Sequence, residues 1–160
     1  MMRRALLAAL LCCGVTHAQP LDAAGAARLR QAAGQDPEAA YDLGRMVRNG
    51  IGVAREPLRA FALIESSALR GHAPAMFTLS AMLAAGEGCT ADLAAARRWL
   101  EAAAELEHPE ALQQMAMYVQ EGALGYPRDT RRAAQLLREA AHAMTHRAQE
   151  HQDQRLPASR

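Results

Sequence analysis

Leu43-Gly44-Arg45-Met46-Val47-Arg48-Asn49-Gly50-Ile51-Gly52-Val53 decides the fold, because the chain writes the same pattern twice more. Leu79 to Cys89 repeats it 36 residues later, and Met115 to Gly125 repeats it again after another 36. Leu43 and Met46 stand three apart with a glycine four residues on, the mark of a helix face running into a left-handed cap. Working outward, Ala39, Ala75 and Ala111 keep the spacing on one side. On the other side Ala60, Ala96 and Ala133 keep it, as do Leu63, Trp99 and Leu136, and Ala68, Ala104 and Ala141. The last step lengthens to 37 because Ala123-Leu124-Gly125-Tyr126-Pro127 carries an extra loop residue. A fixed period of this length, found before any other feature is read, identifies a helical repeat array.

Each unit resolves into two helices. The first helices are expected from Pro37 to Asn49, Pro74 to Ala85 and Pro109 to Glu121, each opened by a proline suited to a first turn. The second helices are expected from Pro57 to Leu69, Asp92 to Leu106 and Asp129 to near Arg147. Asp92 and Asp129 are placed to cap orphan amides, and Glu56 stands at that place in the first unit. Asp22 to Ala33 has the spacing of a second helix alone, with Ala32 at the place of Ala68 and Ala104, and would close the exposed end of the stack. The expected organisation is a cap helix in 19–36, repeats at 37–72, 73–108 and 109–145, and a helix end with a polar, disordered tail in 146–160. The fold class is all-α, a right-handed solenoid of antiparallel helix pairs. Units of this kind cannot bury their apolar faces alone and depend on their neighbours.

Composition agrees. Of 160 residues 51% are hydrophobic but only 4% aromatic, 38 are alanine, and all 18 basic residues are arginine. Ala and Arg rank high in helix propensity, and a β-sandwich is excluded. A formal charge of +1 is too balanced for a protein that grips phosphate backbones. At the N-terminus Arg3-Arg4 precedes the short apolar run Ala5 to Val15 and the small residues Thr16 and Ala18. That is the pattern of a secretory signal in 1–18 with cleavage between Ala18 and Gln19. The apolar run is too short to span a bilayer, which takes roughly 20 residues. Cleavage leaves 16 arginines against 17 acids and Cys89 as the sole thiol, so no internal disulfide is available.

The motifs now carry a resemblance. Leu43-Gly44-x-Met46-x-x-x-Gly50-x-Gly52-Val53, followed by Arg59-Ala60-x-x-Leu63 and Ala68, resembles a Sel-1-like repeat, a relative of the tetratricopeptide repeat. Gly86-Glu87-Gly88, Asp92, Ala96, Trp99, Ala103-Ala104 and His108 resemble it more closely still. The third unit departs, with Met115-Ala116 for Leu-Gly and Leu136 for Trp. The resemblance implies a solenoid that acts as an adaptor in protein complexes. Some cysteine-rich secreted members of the superfamily are credited with β-lactam binding or hydrolysis. Those carry paired cysteines in every unit, whereas this chain has one in all three.

If packing takes one face of each first helix, function should use the other. The expected concave stripe has the rows Tyr41, Arg45, Arg48, Asn49; Phe77, Ala81, Ala84, Ala85; and Gln113, Met117, Gln120, Glu121. Tyr and Arg are common interface anchors, and the alanines leave a shallow pocket beside Phe77. The competing reading makes Phe77 and Met117 core residues of helices slipped by one position.

Other chemistry is thinner. His142 and His146, one turn apart, could face one metal but lack a convincing third ligand. His72 and His108 occupy equivalent turns between units. Arg97-Arg98 and Arg131-Arg132 fit the outer faces of second helices, with a docking patch as the alternative. Glu101 and Glu105 point the same way and cannot flank a substrate. Gly50-Ile51-Gly52 and Gly86-Glu87-Gly88 end helices rather than open them, the wrong polarity for phosphate. The expectation is therefore a secreted or periplasmic monomer, not an enzyme, with no cofactor, metal, nucleic acid or membrane insertion after cleavage. It would bind a protein partner as an adaptor or negative regulator of an envelope protein. The alternative is an immunity or inhibitor protein that occludes a toxin or envelope enzyme.

Overall fold

Proline, aspartate and glycine punctuate the chain where the sequence places them. The computed structural model describes residues 23–153. Within it run α1 (Ala23–Gln35), α2 (Pro37–Asn49), α3 (Pro57–Leu69), α4 (Ala73–Ala85), α5 (Leu93–Glu105), α6 (Pro109–Glu121) and α7 (Thr130–Asp153). There is no strand among the described residues. Helices pack in chain order, most closely within the pairs α2 and α3, α4 and α5, and α6 and α7. No helix of the described residues is long and apolar enough to cross a membrane. The expected signal 1–18 with its Ala18–Gln19 cleavage point, and residues 154–160 of the expected tail, lie outside the described residues.

Local chemistry explains the boundaries. Asp92 Oδ1 accepts from the Ala95 amide at 2.8 Å and Asp129 Oδ1 from the Arg132 amide at 2.9 Å, each satisfying an orphan donor of the first turn. Glu56 makes no such bond; its longer side chain pairs with Arg59 at 3.2 Å instead. Asp36 caps α2 through the Glu38 and Ala39 amides. Gly50, Gly86 and Gly122 close the first helices with φ of 70°, 68° and 73°, their amides donating to Met46, Met82 and Tyr118. The loops then return by one repeated bond. The amides of Glu56, Asp92 and Asp129 donate to the carbonyls of Val47, Leu83 and Val119 at 3.1, 3.0 and 2.9 Å. The longer third loop keeps this bond, which is how it absorbs its extra residue.

The core forms two adjoining clusters. Leu43, Val47, Ile64, Leu79 and Met82 anchor the first; Leu100, Leu112, Val119 and Leu136 anchor the second. Ala60, Ala96 and Ala133 are at most 2% exposed, so the small residues sit where helices approach most closely. Gly88 serves the same end from a loop. At φ 75° a Cβ there would overlap the Pro57 carbonyl, so only glycine lets the second unit's loop rest on the start of α3. Dependence on neighbours is visible at one position. Ile64 and Leu100 are at most 1% exposed, while their counterpart Leu137 in the last unit stays 46% exposed.

Two details differ from expectation. Among the residues of α1 whose burial is described, 27–35, the buried one is Ala33, with Ala32 half-exposed, so the cap helix docks one position away from the register of the other second helices. The last helix continues past Arg147 to Asp153, so His151 to Asp153 are helical rather than part of an irregular tail.

Candidate functional site

None of the expected stripe residues falls in the core. Arg45, Asn49, Ala81, Ala85, Met117, Gln120 and Glu121 are exposed, while Tyr41, Arg48, Phe77, Ala84 and Gln113 are half-buried. Met117 is 53% exposed and lies outside the core, whereas Phe77 packs against the second core cluster.

The half-buried members have structural work of their own. Tyr41 OH lies 3.1 Å from Thr78 Oγ1, and its ring meets that of His72 at a 60° tilt with centroids 4.9 Å apart. Phe77 stacks on His108 at 5.4 Å, and the Gln113 amide donates to Met144 Sδ at 3.7 Å. Tyr41 thus reaches Thr78 in the next unit and His72 at the turn into it, Phe77 reaches His108 at the turn into the third unit, and Gln113 reaches Met144 on the second helix of its own unit. Arg48 is tied down too: its Nη2 lies 2.6 Å from Glu87 Oε2 and its Nε donates to the same oxygen. The Glu87 carboxyl is held below its ordinary range by the Arg48 hydrogen bonds, with Arg55 adding to the effect. Tyr41 and Arg48 are thus links between units as well as parts of a surface. The freely accessible members are Arg45, which sits 5.5 Å over the Tyr41 ring, together with Asn49, Ala81, Ala85, Met117, Gln120 and Glu121.

A cavity of about 60 Å³ opens beside Phe77, walled by Ala81, Ala84, Tyr118 and Leu124, with Ser80 and Gln114 supplying polar atoms. It has room for the tip of one apolar side chain. Tyr118 and Leu124 are not among the expected stripe residues; Tyr118 reaches the cavity from α6, and the turn after Gly122 brings Leu124 to it.

The turn histidines are internal. His108 is 6% exposed, and burial lowers its pKa from 6.5 against an opposing pull from Glu110. Its Nδ1 lies 2.8 Å from Glu110 Oε2 but off the line of a hydrogen bond, and so has no such partner among the described residues. Burial also lowers His72, whose Nδ1 is likewise unpartnered among the described residues. Cys89 is half-buried, its Sγ donating to the Met82 carbonyl at 3.8 Å, and burial pushes its thiol up. His142 and His146 are exposed with their Nε2 atoms 3.0 Å apart.

The arginine pairs separate. Arg97 is half-buried: it bonds Glu101 at 2.9 Å and the Gly125 carbonyl at 2.7 Å, with its guanidinium 4.1 Å over the Tyr126 ring. Arg132 meets Glu139 at 3.5 Å, whereas Arg98 and Arg131 are exposed. Glu101 is therefore a partner of Arg97 and not half of a carboxylate pair.

A second, larger cavity of about 450 Å³ lies between α5 and α7, floored by Leu112 and Met115 of α6. It faces away from Gln113 and Met117 on that helix.

Comparison with known proteins agrees with this architecture. The chain matches the Sel1 repeat over residues 37–72, 73–108 and 109–143. The crystal structure of a Sel1 repeat protein from Oxalobacter formigenes is similar with a TM-score of 0.65 and 29% identity, covering 68% of this chain and 44% of that one. The crystal structure of c5321, a protective antigen present in uropathogenic Escherichia coli strains and displaying an SLR fold, is similar with a TM-score of 0.67 and 31% identity. That match covers 74% of this chain and 25% of the other. The chain spans less than half the length of either structure.

Proposed function

The chain belongs to the Sel1 repeat family, whose repeats typically mediate protein–protein interaction, and from that premise we propose that it docks a protein partner on the stripe formed by α2, α4 and α6. The observation that carries this reading is the continuity of accessible side chains across three units. Arg45 and Asn49, Ala81 and Ala85, and Met117 and Glu121 occupy repeating positions and are spared by the core. A cationic end, a shallow alanine-lined middle and an apolar Met117 present graded chemistry along one line. Phe77 and the small cavity beside it mark the centre, where a buried anchor contributes most to binding.

The work proposed is that of an exported adaptor or negative regulator of an envelope protein, acting by occupancy rather than chemistry. Export follows from the reading of residues 1–18 as a secretory signal. The intact mass of the mature protein tests it: a chain starting at Gln19 is expected, and a product retaining Met1 overturns it. The docking reading is tested by immobilising the mature protein, capturing its partner from an envelope extract, and repeating the capture with Arg45→Glu/Met117→Glu. Loss of the partner with an unchanged melt supports the stripe; undiminished capture removes it.

A further inference from the structure

We propose that the groove between α5 and α7 is a second docking site, for a peptide segment that presents a large aromatic side chain beside an arginine or lysine. It is independent of the stripe: on α6, Leu112 and Met115 floor the groove while Gln113 and Met117 belong to the stripe.

The groove lies beside a position where only the second unit carries tryptophan; the first has Leu63 and the third Leu136. In the second unit the place beside the preceding second helix is filled by Trp99, which packs on the first core cluster. The third unit has Leu136 at that position, and a cavity of about 450 Å³ opens over Leu136, Ala104, Leu112 and Met115. That volume lies within the roughly 300 to 1,000 Å³ usual for ligand pockets, and the floor is apolar. A partner's indole or phenyl ring would restore the filling that the array supplies for itself one unit earlier.

The rim selects charge. Glu101, Glu105, Glu107 and Glu139 line the groove, with one arginine, Arg132, and one histidine, His142. Glu101 is occupied by Arg97 and Glu139 by Arg132, which leaves Glu105 and Glu107 exposed and without an ion pair among the described residues. Two free carboxylates beside an apolar cleft repel acidic segments and favour a cationic one. Glu107 also holds a left-handed backbone, φ 55°, at the place where the first unit has Gly71 at φ 90°. A side chain that glycine could spare stands at the rim of the cavity.

A fluorescein-labelled peptide of Gly and Ser with a central Arg-Trp-Arg, titrated with the full mature chain and followed by anisotropy, tests the site. Saturable one-to-one binding is expected, weakened at least tenfold by Leu136→Trp, which fills the cleft from within, and by replacing the peptide's Trp with Ala. Glu105→Gln/Glu107→Gln, an exposed pair that leaves the core intact, should weaken it comparably, and Arg45→Glu/Met117→Glu should not change it. The proposal is overturned by an absence of saturable binding, or by binding that ignores Glu105→Gln/Glu107→Gln. Binding that ignores the peptide's Trp would reduce the effect to bulk charge and also overturn it. So would a concentration-dependent dimer abolished by Leu136→Trp, since the occupant would then be a second copy of this chain.

Discussion

The Phe77 ring lies 5.4 Å from the ring of His108, tying the second turn of α4 to the residue that starts α6. Tyr41 makes the same reach to His72 at 4.9 Å. A side chain that sequence spacing assigns to a binding stripe is therefore also a rivet between units, and substitutions along the stripe fall into two classes.

The riveting histidines make the array sensitive to acid. Burial lowers the folded pKa of His108 and of His72 below the unfolded value of 6.5. Their neutral forms are favoured in the folded state, so the associated stability is complete above that value and is lost as pH falls through the folded pKa. For His108 the Glu110 carboxylate opposes the shift, and Arg147 and His72 reinforce it. Melting temperature should decline from about pH 6.5 downward, before the acids titrate. His108→Gln should flatten that decline; an unaltered slope would contradict it.

Core truncation should be graded by burial. Leu79 is fully buried, so Leu79→Ala should cost about 2 to 5 kcal/mol in lost transfer energy and cavity. Trp99 is half-buried and should fall at the lower end of that range despite its larger size. Denaturant titration measures both, and a greater loss at Trp99 than at Leu79 would contradict the packing described.

Gly88 and Gly71 separate backbone strain from steric overlap. Both have positive φ, 75° and 90°, but a Cβ at Gly71 meets nothing within 4 Å while one at Gly88 overlaps the Pro57 carbonyl. Gly71→Ala should cost about 1 to 2 kcal/mol for the left-handed conformation alone. Gly88→Ala should cost clearly more, because the loop must also lift from α3. Equal losses would show that the loop contact is dispensable.

Cys89 packs against the first core cluster and donates to the Met82 carbonyl. Burial raises its thiol pKa, which depresses the thiolate that reacts. Labelling of the native chain by a thiol reagent should be slow beside that of the unfolded chain. Comparable rates would place the sulfur in solvent.

The helices were legible because their punctuation is local: proline at first turns, Asp92 and Asp129 as caps, and Gly50, Gly86 and Gly122 as stops each act within a few residues. Glu56 shows where identity mattered more than position, since a side chain one methylene longer than aspartate turned to Arg59 instead of the backbone. Of the expected stripe, seven positions are exposed and five half-buried. What spacing could not convey was the second engagement of Tyr41 with Thr78 and of Arg48 with Glu87, contacts spanning 37 and 39 residues. The groove beside Leu136 left no trace in the sequence, since Leu63 stands at the same place in the first unit, and its size depends on how α5, α6 and α7 meet.

Affinity of the captured envelope partner for two stripe variants, each paired with a circular dichroism melt, tests the central claim most directly. Arg45→Glu/Met117→Glu alters exposed side chains and should shift stability by less than about 0.5 kcal/mol while weakening binding at least tenfold. Tyr41→Ala should lower both, because it also breaks the contacts with Thr78 and His72. Unchanged affinity in the Arg45→Glu/Met117→Glu protein, with its fold intact, would contradict the assignment of the stripe as the binding surface.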